Sequence, residues 1–118
     1  MTSEKMEELF GTKARNEKEE ILPIHMDIAA SIQAVLEEVI LKICLCVKKI
    51  TNLNNLCLAG GVALNCVANS KIIKNNIFEK IWIQPASSDS GGALGAAQFV
   101  YYHLLNNDRN VKNEDNMK

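Results

Sequence analysis

Two glycine pairs and an aspartate are the residues of this sequence whose types and spacing could do chemistry. Gly60-Gly61 ends a short apolar run, and Gly91-Gly92 follows Asp89 and Ser90. Each pair stands between a predicted strand and a predicted helix, which is where open α/β sheets bind ligands. Glycines there permit a positive φ and a close approach of ligand to backbone, and the free N–H groups of the next helix attract anions. These turns predict a site for a phosphate or a nucleotide.

The same residues also suit turns that the fold requires without a ligand. The segment GGVALN lacks both the G-x-G-x-x-G order of a dinucleotide-binding turn and the lysine of a P-loop. Asp89 or Ser90 could cap the following helix, which stabilises a helix by about 1 kcal/mol. A carboxylate beside a bound phosphate would instead need a cation between them. Asn65 could hydrogen-bond a ribose or base edge, or serve as a local cap. The residues alone leave these alternatives open.

Histidine and cysteine chemistry is not indicated. The sequence has no C-x-x-C pair and no His at zinc-site spacing, so we predict neither a disulfide framework nor a structural zinc. Small buried hydrophobic residues are the preferred interpretation of the four cysteines, Cys44, Cys46, Cys57 and Cys66. His25 and His103 lie near opposite ends of the predicted folded part without an evident carboxylate or Cys partner.

The elements that must position these residues alternate along the chain. Apolar residues spaced three and four apart predict an amphipathic helix from Ile24 onward. After it the pattern predicts a strand buried on both faces at Leu56–Ala59, a helix at Val62–Ile73, a strand at Lys80–Gln84 with Trp82 in the core, and a helix at about Gly91–Leu105. This order indicates the α/β class, with helices packed on a short mixed or parallel sheet.

Length and charge limit the other function classes. A chain of 118 residues suits one domain, which we place at residues 22–105, between a polar N-terminal arm at 1–21 and a polar tail at 106–118. Thirteen basic and fourteen acidic residues show no footprint of a nucleic-acid partner. No apolar stretch approaches the roughly 20 residues that span a bilayer, and the first residues lack the apolar segment of a signal peptide. We therefore expect no membrane partner and a cytoplasmic location.

Three segments resemble consecutive motifs of the NodU/CmcH-type O-carbamoyltransferases: HMDIAASIQAVLEEVI, LCLAGGVALNCVAN and FEKIWIQPASSDSGGALGAA. The resemblance covers about residues 24–104. It implies part of an actin/Hsp70/sugar-kinase-like (ribonuclease H-like) domain, which tRNA threonylcarbamoyl-adenosine synthases and hydrogenase-maturation carbamoyltransferases share. Those relatives have a similar Gly-Gly-Val turn, but IQPASSDSGGALGAA is more similar to the antibiotic and nodulation-factor branch.

This resemblance implies a reaction and roles for individual residues. In the family, carbamoyl phosphate and ATP yield a carbamoyl-adenylate, whose carbamoyl group passes to an acceptor hydroxyl. Asp89 matches an aspartate that helps to hold a divalent metal ion, of iron or magnesium type, usually with two histidines of an H-x-x-x-H motif. The implied nucleotide-binding positions are Gly60, Gly61, Asn65, Ser90, Gly91 and Gly92.

The sequence departs from the family pattern in what it lacks. The H-x-x-x-H motif, the phosphate-binding hairpin of the first subdomain and the C-terminal domain that forms the carbamoyl-adenylate are absent from these 118 residues. We therefore expect a fragment of an O-carbamoyltransferase that is not active alone. The alternative is a non-catalytic nucleotide-binding or interaction module that docks to a partner chain supplying the rest of the site, or associates with itself.

Overall fold

The structure is a computed structural model and describes residues 4–109. The chain divides into two compact units, Met1–Leu36 and Glu37–Lys118, whose boundary falls inside the longest helix. The helices are α1 (Glu4–Phe10), α2 (Pro23–Thr51), α3 (Cys66–Lys74) and α4 (Ser90–Phe99), and the strands are β1 (Asn55–Leu58) and β2 (Lys80–Ile83). A 3-10 turn (Gly61–Leu64) precedes α3, and a π turn (Val100–Leu104) follows α4.

The N-terminal segment is more ordered than its polar composition suggests. Seven of its residues form α1, where the sequence pattern predicted no helix, and Gly11 follows in a left-handed conformation with φ 63°. The Arg15 guanidinium then donates to the carbonyl oxygens of Asn16 and Glu19, at 3.0 and 2.6 Å. These local hydrogen bonds order a segment that has few apolar residues.

The long helix α2 confirms the strongest periodic pattern in the sequence. Pro23 is its first residue, a position where the missing N–H of proline costs nothing. The Leu22 N–H donates to His25 Nδ1 at 3.0 Å, so the His25 side chain satisfies the backbone donor of the residue just before Pro23. Lys48 and Lys49 lie in the last turn, where cations interact favourably with the helix dipole.

The sheet has two parallel strands joined by a crossover through α3. Asn55 pairs with Lys80 at one end of the ladder and Leu58 pairs with Ile83 at the other. The predicted α/β class with a parallel sheet is therefore confirmed. The predicted helix at Val62–Ile73 is interrupted, because Asn65 has an extended conformation (φ −73°, ψ 93°) between the 3-10 turn and α3.

One face of the sheet carries the core and the other is open. Partly buried apolar residues surround the buried core residues Cys44, Ile72 and Phe78; they are Ile40, Leu41, Leu56, Leu58, Ile77 and Ile81. Cys57 and Trp82 pair with each other on the opposite face, where Trp82 is 47% exposed. The predictions that the strand is buried on both faces and that Trp82 is a core residue are wrong. Of the four cysteines, Cys44 alone is buried.

The last helix has the predicted extent but not the predicted packing. α4 and the π turn together run from Ser90 to Leu104, close to the predicted helix, yet none of their residues is buried. The predicted polar tail begins at Asn106, and its residues 110–118 lie outside the part that the structure describes. Every helix within residues 4–109 is too short or too polar to span a bilayer.

Candidate functional site

The structure brings the two predicted glycine turns together. Parallel strands that are neighbours end at the same edge of the sheet, and the Gln84 N–H donates to the Leu58 carbonyl at 3.0 Å just beyond the ladder. A β-carbon placed on Gly61 would lie 3.8 Å from Ser88 Oγ. The turn after β1 and the loop after β2 therefore face each other at the carboxyl edge, where α/β sheets bind ligands.

The first turn depends on Gly60 and is supported by an asparagine. Gly60 has φ 99°, which disfavours any residue with a β-carbon, and its carbonyl accepts from the Ala63 N–H at 3.0 Å. The buried Asn69 donates through Nδ2 to the Ala63 carbonyl at 2.7 Å. Sequence reasoning missed Asn69, although a polar residue on the inner face of α3 was a signal that could have revealed it.

The second turn depends on Gly91 for a different reason. A β-carbon on Gly91 would overlap the carbonyl oxygen of Ala86 in the preceding loop. That loop is fixed by the buried Ser87, whose hydroxyl donates to the Gln84 carbonyl. Ser87 was also missed, because nothing in a serine-rich loop distinguishes the buried serine from its exposed neighbours.

One glycine of each pair is not required by the internal structure of the chain. The φ of Gly61 lies outside the left-handed region, and its nearest neighbour, Ser88 Oγ, stands at an ordinary van der Waals distance. A β-carbon on Gly92 would meet nothing within 4 Å. The interpretation as structural turns therefore accounts for Gly60 and Gly91 but not for Gly61 and Gly92.

Asp89 lies at the N-cap position of α4 but does not act as a cap. Its backbone is helical, with φ −56° and ψ −32°, and within the described structure its carboxylate makes no capping hydrogen bond. The N–H groups of Gly91 and Gly92 donate to the carbonyls of Ser88 and Asp89, at 2.9 and 3.0 Å. Asp89 and Ser90 are exposed at the start of α4, beside the loop that faces Gly61.

Asn65 has a structural role in the chain. Its Oδ1 accepts from the Ala68 N–H at 3.0 Å, which caps α3. Capping was one of the two roles that the sequence left open for this residue. A contact between Asn65 and a ribose stays a prediction.

The described residues do not form a complete metal site. Among residues 4–109 there is no group of three or more His, Cys, Asp or Glu side chains that could hold a metal ion. His25 Nδ1 accepts from a backbone N–H, and His103 stacks on Phe99 with ring centroids 5.1 Å apart. Asp89 therefore offers one carboxylate without two further ligands of these types beside it in residues 4–109.

Comparison with known proteins decides the family. The family model for the carbamoyltransferase N-terminus matches residues 1–98. The chain belongs to this carbamoyltransferase family. The match includes the whole N-terminal segment, which the motif resemblance from residue 24 onward did not reach.

The chain is similar to segments of much longer proteins. It is 49% identical over 117 residues to the uncharacterized protein sll1178 of Synechocystis sp., covering 99% of this chain and 19% of that protein. It is 45% identical over 80 residues to nodulation protein NolO of Bradyrhizobium diazoefficiens, covering 68% of this chain and 15% of NolO. Nodulation protein U of the same organism is 36% identical over 75 residues, 60% of this chain and 13% of that protein. The chain spans 19% or less of the length of these relatives.

Proposed function

We propose that this carbamoyltransferase chain contributes the nucleotide-contacting part of an O-carbamoyltransferase active site. In the complete reaction, carbamoyl phosphate, ATP and water yield a carbamoyl-adenylate, phosphate and pyrophosphate, and the carbamoyl group then passes to an acceptor hydroxyl with release of AMP. We assign the chain to the nucleotide-binding part of an actin/Hsp70/sugar-kinase-like domain. The catalytic groups that complete the reaction lie outside these 118 residues.

The observation that carries the proposal is the position of Gly61 opposite Ser88. The two turns follow neighbouring parallel strands, and Gly61 faces Ser88 with a bare backbone although its own φ does not require glycine. Glycine at such a position lets a ligand approach the backbone closely. The start of α4 lies directly after Ser88 and Asp89 and carries the positive end of a helix dipole, which favours an anionic group such as a phosphate.

Asp89 gives the proposed site its dependence on a cation. Its exposed carboxylate is not used as a cap, and it would repel a phosphate bound at the start of α4. A divalent ion between the two groups would remove that repulsion and orient the phosphates. We therefore propose that Asp89 supplies one ligand to such an ion, whose remaining ligands come from the solvent, the phosphates and parts of the enzyme outside this chain.

Calorimetric titration of the chain with ATP and ADP, with and without Mg²⁺, tests these roles. We expect weak binding that Mg²⁺ strengthens, and we expect Asp89→Ala to lower affinity only when Mg²⁺ is present. Asp27→Ala is the matched control, since Asp27 is an exposed aspartate of α2 in the other unit of the chain. Equal binding by the parent and Asp89→Ala in Mg²⁺ would reject the role of Asp89.

A second variant tests the space between the turns independently of the metal. Gly61→Val adds a branched side chain whose β-carbon would lie 3.8 Å from Ser88 Oγ, without demanding a left-handed backbone. We expect affinity for ATP to fall by about tenfold or more, which corresponds to about 1.4 kcal/mol, while the circular dichroism spectrum is unchanged. Unchanged affinity in a folded Gly61→Val chain would place the nucleotide elsewhere.

A second candidate function is a non-catalytic module that docks to the rest of a carbamoyltransferase. It is favoured by a different observation, the absence of any buried residue from α4. A folded chain that binds no nucleotide under any of these conditions would leave this function in place and reject the first.

A further inference from the structure

α4 and the π turn present an apolar surface that no described part of the chain buries. We define the α4 surface by its exposed large side chains, which are Leu94, Phe99, Val100, Tyr101, Tyr102 and Leu104. Their exposed fractions run from 36% for Tyr102 to 63% for Leu104. An apolar patch of this kind, contributed by consecutive turns of one helix, marks a contact site in a soluble protein.

The composition of α4 is typical of a helix that is buried on all sides and not of one that has a solvent-exposed face. From Ser90 to Phe99 it contains no charged residue, and its polar side chains are those of Ser90 and Gln98. A helix that is apolar around its whole circumference is normally buried in a larger protein. The exposed side of α2, by contrast, carries the Glu38–Lys42 ion pair.

The small residues of α4 leave room for a close neighbour. β-carbons placed on Gly92 and Gly95 would meet nothing within 4 Å. The chain alone would therefore accommodate larger side chains at these positions. Helices also favour almost any residue over glycine, so the glycines need another explanation. Glycine there is better explained by another backbone or side chain packed against the helix.

The open face of the sheet points to the same conclusion. Parallel sheets are normally covered on both faces, but Cys57 and Trp82 are exposed on the face of β1 and β2 opposite the core. Trp82 contributes a large aromatic side chain that is 47% exposed. A two-stranded parallel sheet with one bare face is therefore part of a larger layered arrangement.

The length of the relatives points to one occupant. Almost the whole chain, 117 residues, aligns at 49% identity with a segment that makes up 19% of the Synechocystis protein, so most of that protein lies outside the match. We propose that the α4 surface and the bare sheet face dock onto this remaining part of a carbamoyltransferase. The inference rests on the proposed role of the chain as one part of a larger active site, and not on the assignment of nucleotide contacts.

A chimera tests the proposal with whole proteins. The matching 117 residues of the Synechocystis protein are replaced by those of this chain, and Gly95→Leu is introduced both in the chimera and in the chain alone. Because Gly95 faces open space in the chain, we expect the melting temperature of the isolated variant to stay equal or rise. In the chimera the added leucine meets the docked neighbour, and we expect a lower melting temperature or loss of soluble protein.

Lys42→Leu is the matched control, since it places a leucine at an exposed position of α2. We expect the chimera to tolerate it. A chimera that tolerates Gly95→Leu as well as Lys42→Leu would overturn the proposal. A parent chimera that fails to fold would also overturn it, because the α4 surface should fit the remainder of the Synechocystis protein.

Light scattering on the isolated chain separates a second copy from the proposed occupant. A stable dimer that Gly95→Leu dissociates would assign the α4 surface to self-association and overturn the inference. The nucleotide titrations remain independent. Absence of ATP binding together with a Gly95 effect confined to the chimera would reject the nucleotide role and support docking.

Discussion

Lys71 of α3 forms an ion pair with Glu37 of α2, and the two ends of this pair differ in environment. The Glu37 side chain is 7% exposed, whereas the Lys71 side chain is 51% exposed. A buried carboxylate is costly unless a cation or hydrogen-bond donors satisfy it. The pair therefore links α3 to α2 beside the core.

We expect Lys71→Met to destabilise the chain by about 1–3 kcal/mol, because Glu37 stays buried while it loses its cationic partner. The half-exposed position of Lys71 keeps the effect below that of a fully buried pair. Urea unfolding followed by circular dichroism measures the change. In the double variant Glu37→Gln with Lys71→Met, we expect less destabilisation than the sum of the two single variants.

Lys42→Met is the control for the loss of a lysine charge. Lys42 and Glu38 form an i, i+4 pair with both side chains more than half exposed, so solvent screens the pair and we expect Lys42→Met to change stability little. Equal effects of Lys71→Met and Lys42→Met would show that burial of Glu37 adds nothing to the interaction.

The sequence predicted those elements whose signals are local and strong. The three-and-four spacing of α2 and the order of strands and helices survive in the structure, because each records which side of an element faces apolar neighbours. The placement of both glycine turns at one edge followed from the parallel order of β1 and β2. Local patterns and one topological rule therefore located the candidate site.

The failures have two physical causes, which are local hydrogen bonds that interrupt a periodic pattern and an apolar sheet face that the described residues leave uncovered. Asn65 interrupts an apolar helical pattern because its side chain caps α3 better than it continues a helix. The apolar run around Cys57 predicted a strand buried on both faces, but nothing in residues 4–109 covers the second face. Sequence patterns record the environment that suits a side chain, and residues 4–109 do not supply that environment for Cys57.

The glycines of the second turn give a paired prediction. Gly91→Ala should destabilise the chain by about 1–3 kcal/mol, because the new methyl group would overlap the Ala86 carbonyl and force the loop to move. Gly92→Ala should be neutral or stabilising by up to about 1 kcal/mol, since helices favour alanine and the space is open. Thermal unfolding of both variants measures the contrast. A destabilising Gly92→Ala with a silent Gly91→Ala would contradict the packing described for this turn.

The thiols should fall into two reactivity classes. Cys46, Cys57 and Cys66 are exposed, whereas Cys44 is 3% exposed, and burial raises the pKa of its thiol above the ordinary value. A raised pKa lowers the thiolate fraction at a given pH, and burial blocks the reagent as well. A chromogenic disulfide at pH 8 should modify three of the cysteines quickly and the fourth only after urea is added, as followed by the absorbance of the released chromophore. Cys44→Ala should abolish the slow class, and four equal rates in the parent would contradict the core.

Asn65 offers a test between its two roles. Asn65→Ala removes the acceptor for the Ala68 N–H and should destabilise the chain by about 1 kcal/mol. Asn65→Ser keeps a capping oxygen but shortens the side chain and removes the amide, so it should restore most of that stability. If Asn65 acts as a cap alone, the serine variant should bind ATP with the affinity of the parent in the calorimetric titration. If its amide also contacts a ribose or base edge, the serine variant should remain stable and lose affinity, and this separation of stability from binding is the outcome that would establish the second role.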